Sequence, residues 1–175
     1  RISALTGSNK QTKMKVETFV CNYLNENCYV VSFDNGEGFI LDCGAIKKVE
    51  RKAIEDYVKS NGITLKACLN THMHYDHAFG LPFVKKKYGL VPQCHPKEKV
   101  NYERKEWWVH MLRMVATLTQ GRPLFEFMPD PDYSLTEGTR LMIGGTEIKI
   151  IETPGHSIGG LCFYLPKEKV LFTGD

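Results

Sequence analysis

The sequence predicts an α+β domain with two groups of β-strands and helices between them. Three observations predict it. Short apolar runs bounded by turn residues recur along the chain. One longer stretch, Ile46 to Ser60, has helical rather than alternating periodicity. The loops richest in histidine and aspartate each fall just past the C-terminal end of an apolar run, where sheet-based sites are commonly built. A chain of 175 residues is large enough for one domain with a real core. Its 42% hydrophobic and 25% charged residues are ordinary for a soluble globular protein. The net charge of +3 is too small to argue for a nucleic-acid partner, and Lys85-Lys86-Lys87 reads as the solvated end of a helix. No stretch approaches a membrane span and the first residues lack an apolar signal core, so a cytoplasmic protein with no membrane partner is expected.

Taken in order, Arg1 to Lys13 are polar and aperiodic and read as a leader outside the fold, so the domain is expected over 14–175. Strands are expected at Val16–Val20, Tyr29–Phe33 and Gly38–Asp42, with Asp34-Asn35-Gly36 as a hairpin turn. In the helix from Ile46 to Ser60, the residues Ile46, Val49, Ala53, Ile54 and Val58 form the expected apolar stripe, and Asn61-Gly62 ends it. Ile63 to Asn70 is a strand. Leu81 to Tyr88 is a short helix with Pro82 in its first turn and Gly89 as its stop. Trp107, Trp108, Met111, Leu112, Met114, Val115 and Leu118 predict a helix apolar over much of its circumference, packed on the core or walling a substrate site. His95 and His110 read as structural histidines. Gly121 to Asp132 is a loop, and strands return at Arg140–Ile143, Glu147–Glu152, Leu161–Leu165 and Val170–Phe172. Six cysteines without C-x-x-C spacing read as reduced, buried thiols. Cys43, beside Asp42, is read as a packing residue, with a thiol ligand as the alternative.

Thr71-His72-Met73-His74-Tyr75-Asp76-His77 carries three of the chain's six histidines and one carboxylate, directly after an apolar run. Imidazole and carboxylate suit zinc and similar divalent ions. A regular helix or strand would aim some of these donors at the wrong face, whereas a loop at a strand end turns them inward. His72 and His74, two apart, point the same way in extended backbone. Asp76 and His77 are then free for a second centre, and the pattern predicts two metals side by side. Thr153-Pro154-Gly155-His156-Ser157 and Phe172-Thr173-Gly174-Asp175 follow further strand-like runs in the same manner.

These three segments resemble the T-H-x-H-x-D-H, T-P-G-H-[ST] and T-G-D motifs of the metallo-β-lactamase superfamily, in the same order. The opening from Met14 through Glu26-Asn27-Cys28-Tyr29 is similar to its glyoxalase II-like (hydroxyacylglutathione hydrolase-like) members, and Phe39 to Gly44 to the strand that ends in Asp-x-Gly. The resemblance spans Met14 to Asp175. It implies a four-layer αββα sandwich with metals at one edge, here ending before the family's last strand-loop-helix unit. It implies that His72, His74 and His156 hold one metal, that Asp76 and His77 hold the second, and that Asp175 bridges them. The expected cofactor is Zn²⁺, two per chain, with iron or manganese as alternatives. A metal-bound hydroxide, oriented by the catalytic Asp76, would attack a small thioester or ester carbonyl. Asp42 is expected to fix the loop or a histidine tautomer, or else to be a strand-end turn residue. Histidine at 74 rather than glutamate disfavours diiron oxygen reduction, and aspartate at 175 disfavours lactamases with a thiolate ligand. The family supplies a last histidine beyond T-G-D, so three protein ligands are expected at the second metal. The alternatives are a mononuclear-iron persulfide dioxygenase and an inactive binding module.

Overall fold

A computed structural model describes residues 13–103 and 128–175. The expected leader up to residue 12, the helix around Trp107 to Leu118 and His110 lie outside the described residues. The first sheet has the order β1-β2-β3-β4-β5, from β1 (Met14–Cys21), β2 (Glu26–Phe33), β3 (Glu37–Leu41), β4 (Thr64–Leu69) and β5 (Pro92–Gln93). The first three strands are antiparallel neighbours, and β4 and β5 join in parallel. The β2–β3 turn falls at Asp34-Asn35-Gly36 as expected: Gly36 adopts φ +81° and donates its N–H to the Phe33 carbonyl at 2.9 Å. The two-residue β5 was not foreseen, because a strand that short, opened by Pro92, carries no alternation to read.

Between β3 and β4 runs α1 (Lys48–Ser60), the crossover that parallel pairing requires. The Glu50 carboxylate caps its start by accepting from Lys47 N at 2.9 Å. Gly62, at φ +61°, closes its end. Its buried face is Ile54 and Val58, with Tyr57 packed alongside. Val49 is 71% exposed and Ala53 is exposed too, which corrects the five-residue stripe. Five residues at about 100° each put Val49 roughly 140° from Ile54, on the solvent flank. After β4 come α2 (Tyr75–Ala78), α3 (Leu81–Tyr88), a 3₁₀ turn at Pro96–Glu98 and α4 (Lys99–Glu103). Pro82 and the left-handed Gly89 bound α3 as the sequence predicts.

The second sheet is an antiparallel meander, β6 (Arg140–Ile143), β7 (Thr146–Glu152), β8 (Leu161–Leu165) and β9 (Val170–Phe172). Alternation along the first sheet feeds two cores. Cys28, Val30, Ile40 and Cys68 face the helices with Ile54, Val58, Leu81 and Val84. Val31, Phe33, Phe39, Leu41 and Leu69 face the second sheet, meeting Ile148, Ile150, Phe163 and Phe172. Leu65 and Ala67 sit two apart yet enter opposite cores, because the β3–β4 register shifts at Gly38/Phe39. The described residues therefore give helix, sheet and sheet. On the far side of the second sheet, Met142, Ile151 and Leu171 are exposed, and no helix covers them among the described residues. All six cysteines are free and buried. No helix among the described residues is long and apolar enough to cross a membrane.

Candidate metal centre

The histidine loop begins where β4 ends. Asn70 fixes it by donating Nδ2–H to the His77 carbonyl at 2.9 Å, and Asn70 N donates to the β5 carbonyl of Gln93. Asp42, just past β3, is buried with φ +48°, a conformation that aspartate tolerates better than most side chains. Its carboxylate accepts from Thr71 N and from Thr71 Oγ1, both at 2.7 Å, and lies 3.2 Å from His77 Nδ1. Asp42 thus fixes the loop and stands beside a histidine, and it is also the strand-end turn residue. The two expectations for it meet in one side chain.

Thr71 Oγ1 settles the state of His72. Its proton goes to Asp42, an acceptor-only partner, so the oxygen is left to accept from His72 Nδ1 at 3.0 Å. His72 is therefore the Nδ1–H tautomer, and its Nε2 lone pair is buried with no hydrogen-bond partner. Burial first, and then the neighbouring His77, push the His72 pKa down to about 4, which keeps the ring neutral. A buried, neutral, unpartnered imidazole nitrogen is what a divalent ion requires of a ligand.

Around that nitrogen, two groups of three potential donors come within 4.8 Å of one another: His72, His74 and His156, and His72, His77 and Asp175. His74 Nδ1 and His156 Nε2 are 2.9 Å apart. Burial and the facing His156 hold the His74 pKa below its ordinary value. Asp175 spans the two groups, with Oδ1 3.3 Å from His77 Nε2 and Oδ2 3.8 Å from His156 Nε2. The four imidazole nitrogens and one carboxylate gathered here, with His72 common to both groups, fit a divalent metal. Two arrangements differ from the expected ligand sets. His72 belongs to both groups, and Asp76 to neither, its Oδ2 lying 3.7 Å from His77 Nε2 on the first turn of α2. Cys43 is fully buried among Cys28, Gly80 and Ala45, and is a packing residue beneath the site.

Two cavities open on this centre. One, of about 180 Å³, is lined by Glu26, Asn27, Tyr29, Asp42, Asp76 and His77 among others. The other, of about 120 Å³, is lined by His72, His156, Thr153 and Ser157 among others, and Thr173, Gly174 and Asp175 line both. Sequence reasoning assigned no role to Thr71, Glu26 or Glu98. Thr71 sits inside the motif, where a β-branched polar residue at a strand end gives no hint of its partners. Glu26 and Glu98 lie in ordinary polar contexts, and only their burial in three dimensions singles them out.

The sequence pattern of the Metallo-beta-lactamase superfamily matches residues 22–175. Among curated relatives, an uncharacterized protein of Aquifex aeolicus is 31% identical over 85% of this chain and 64% of its own length. A hydroxyacylglutathione hydrolase of Brucella ovis is 28% identical over 94% of this chain and 52% of its own. The chain therefore spans about half to two thirds of the length of these relatives. Among solved structures, the BLEG-1 B3 metallo-beta-lactamase superposes with a TM-score of 0.70 at 30% identity, covering 92% of this chain and 72% of that one. TTHA1623 in a di-iron-bound form superposes with a TM-score of 0.68 at 27% identity, covering 91% and 72%.

Proposed function

The chain belongs to the metallo-beta-lactamase superfamily, and from that premise we propose that it is a metal-dependent hydrolase of small thioesters or esters, working with two zinc ions. The observation that carries the reading is the buried His72 Nε2 lone pair at the meeting point of the two donor groups. His72, His74 and His156 would hold one ion, His77 with Asp76 the other, and Asp175 would lie between them. When bound, the ions would polarise the substrate carbonyl and acidify water at the site.

The remaining work falls to the protein. Asp76 lines the larger of these two cavities, where it would accept a hydrogen bond from an attacking water and so orient it. Asp42 holds Thr71 and faces His77, and through Thr71 it keeps the His72 tautomer that leaves Nε2 free. The cavity by Tyr29 and Asn27 receives the acyl group. Its small volume and the modest net charge of +3 support a small-molecule substrate rather than nucleic acid. The Brucella relative supports the thioester class. Six buried free thiols support a reducing compartment, and the proposal includes a cytoplasmic location.

The test combines metal analysis with turnover of a panel: a hydroxyacyl-glutathione thioester, an aryl ester and a β-lactam. Two zinc ions per chain with thioester turnover are expected, and Asp76→Ala is expected to lose that turnover while keeping its fold. One iron per chain with no hydrolysis, lactam cleavage alone, or equal thioesterase rates in Asp76→Ala would overturn the proposal.

A further inference from the structure

Glu98 closes the 3₁₀ turn after β5 and is fully buried. Nothing in the proposed hydrolysis uses it. Its carboxylate nevertheless joins the two loops that carry His72, His74 and His156. Oε2 accepts from Met73 N at 2.8 Å, and Met73 lies between His72 and His74. Oε1 accepts from Gly159 N at 2.8 Å and from the Ser157 hydroxyl, and Ser157 follows His156. Asn101, on α4, completes the set. Its Nδ2 donates to Glu98 Oε2 at 2.9 Å and to Ser157 Oγ at 2.9 Å.

Two donors on each oxygen fill the acceptor capacity of an ionised carboxylate. Burial alone would push this acid up. The donors Ser157, Asn101, Met73 and Gly159 together outweigh burial and hold its pKa below the ordinary value. Packing also reserves the place, since a side chain at Gly159 would bring a Cβ within 2.8 Å of Glu98 Oε1. The partners come from β4's loop on one side and from the turn between β7 and β8 on the other. One rigid group with two oxygens a fixed distance apart therefore spans the gap between the sheets at the point where the histidines meet.

We propose that Glu98 is the positioning residue that sets the separation of the His72–His74 loop from the His156 loop, holding each on its own carboxylate oxygen. The inference rests on the reading of these histidines as metal ligands. A nitrogen donor misplaced by a fraction of an ångström binds an ion poorly, so the effect belongs first in metal affinity. Loss of groups that orient ligands typically weakens metal binding by about 10–100-fold.

Glu98→Gln puts an amide N–H against two of the four donors while preserving size. Zinc affinity by chelator competition is expected to fall at least about tenfold in Glu98→Gln, with a smaller loss in Ser157→Ala, which removes one donor. A second measurement needs no metal: NMR of the imidazole nitrogens and of the His74–His156 ring contact in the chelated protein. In Glu98→Gln this contact should weaken, while circular dichroism stays that of the parent. If Glu98→Gln does not fold, Ser157→Ala and Asn101→Ala carry the same two readouts. Parent-like zinc affinity together with a parent-like His74–His156 contact in the variants overturns the proposal. A parent that binds no zinc, but whose ring contact still depends on Glu98, removes the metal reading and leaves the positioning role standing.

Discussion

Glu26 opens β2 and is only 6% exposed, with both carboxyl oxygens buried and unpartnered. Burial, followed by the charge of Asp42, raises its pKa from the ordinary 4.5 to about 11. The folded protein therefore holds a proton that the unfolded chain releases. The associated stability is complete below about pH 4.5 and is lost as pH rises towards 11, at up to about 1.4 kcal/mol per pH unit for one proton. Denaturant midpoints of the chelated protein should fall between pH 6 and pH 9. Glu26→Gln, neutral at every pH, should flatten that decline, and an equal slope in parent and variant would refute the assignment. His77 works in the same direction. Burial lowers its pKa, but Asp42, Asp76 and Asp175 outweigh burial and raise it. Its charged form stabilises the metal-free fold below the ordinary value of 6.5, and that contribution fades as pH rises through the raised one. On the proposed reading, metal uptake displaces any proton that His77 carries. Calorimetry below pH 6.5 in buffers of different ionisation heat should then show less proton release in His77→Asn than in the parent. At this scale the gathering of the candidate donors was legible, because imidazoles two and three apart after a strand turn to one place, but their grouping was not: His72 is shared and Asp76 stands outside. Glu26, Glu98 and Thr71 were not, since each takes its meaning from a partner at least 16 residues away or from burial alone.

Among the elements, α1 separates periodicity from burial. Ile54 is fully buried against the first sheet, while Val49 in the first turn is 71% exposed. Ile54→Ala should destabilise the protein by about 2–5 kcal/mol, and Val49→Ala should change stability by no more than about 0.5 kcal/mol. Thermal or urea unfolding distinguishes these outcomes, and comparable losses would mean that the helix lies on the sheet by another face. Strands of four or more residues were readable to within three residues at each end, because alternation between two cores imposes a period that turn residues punctuate. Between β4 and β6, α3 was readable from its proline and glycine bounds, and the shorter pieces were not. The 3₁₀ turn at Pro96–Glu98 and the single turn of α2 are fixed by contacts to other elements rather than by their own pattern.

At the scale of the molecule, the site exists because two sheets meet at one edge, and glycines test how closely they meet. Leu161 N donates to the Thr71 carbonyl at 2.9 Å, tying β8 to the histidine loop. Phe172 of β9 packs on Tyr29 and Phe39 of the first sheet, with ring centroids 5.4 and 6.2 Å away. Gly174 follows Phe172 by two residues and immediately precedes Asp175. A Cβ there would stand 2.8 Å from Thr71 Oγ1 and 3.0 Å from Thr71 Cβ. Thr71 cannot retreat, being held by two hydrogen bonds to Asp42. The overlap must therefore push the T-G-D loop away from the histidine loop. Gly155 is the matched control: it immediately precedes His156, as Gly174 precedes Asp175, but a Cβ on it would meet nothing within 4 Å. Gly174→Ala should cost about 1–3 kcal/mol, the usual range for overpacking. It should also lower zinc affinity, because Asp175 moves away from His77. Gly155→Ala should leave both quantities near the parent. Unfolding curves and chelator competition on the two variants read the difference directly. Equal behaviour would show that adjacency in sequence to a ligand, rather than the close approach of the two sheets at Thr71, governs the site.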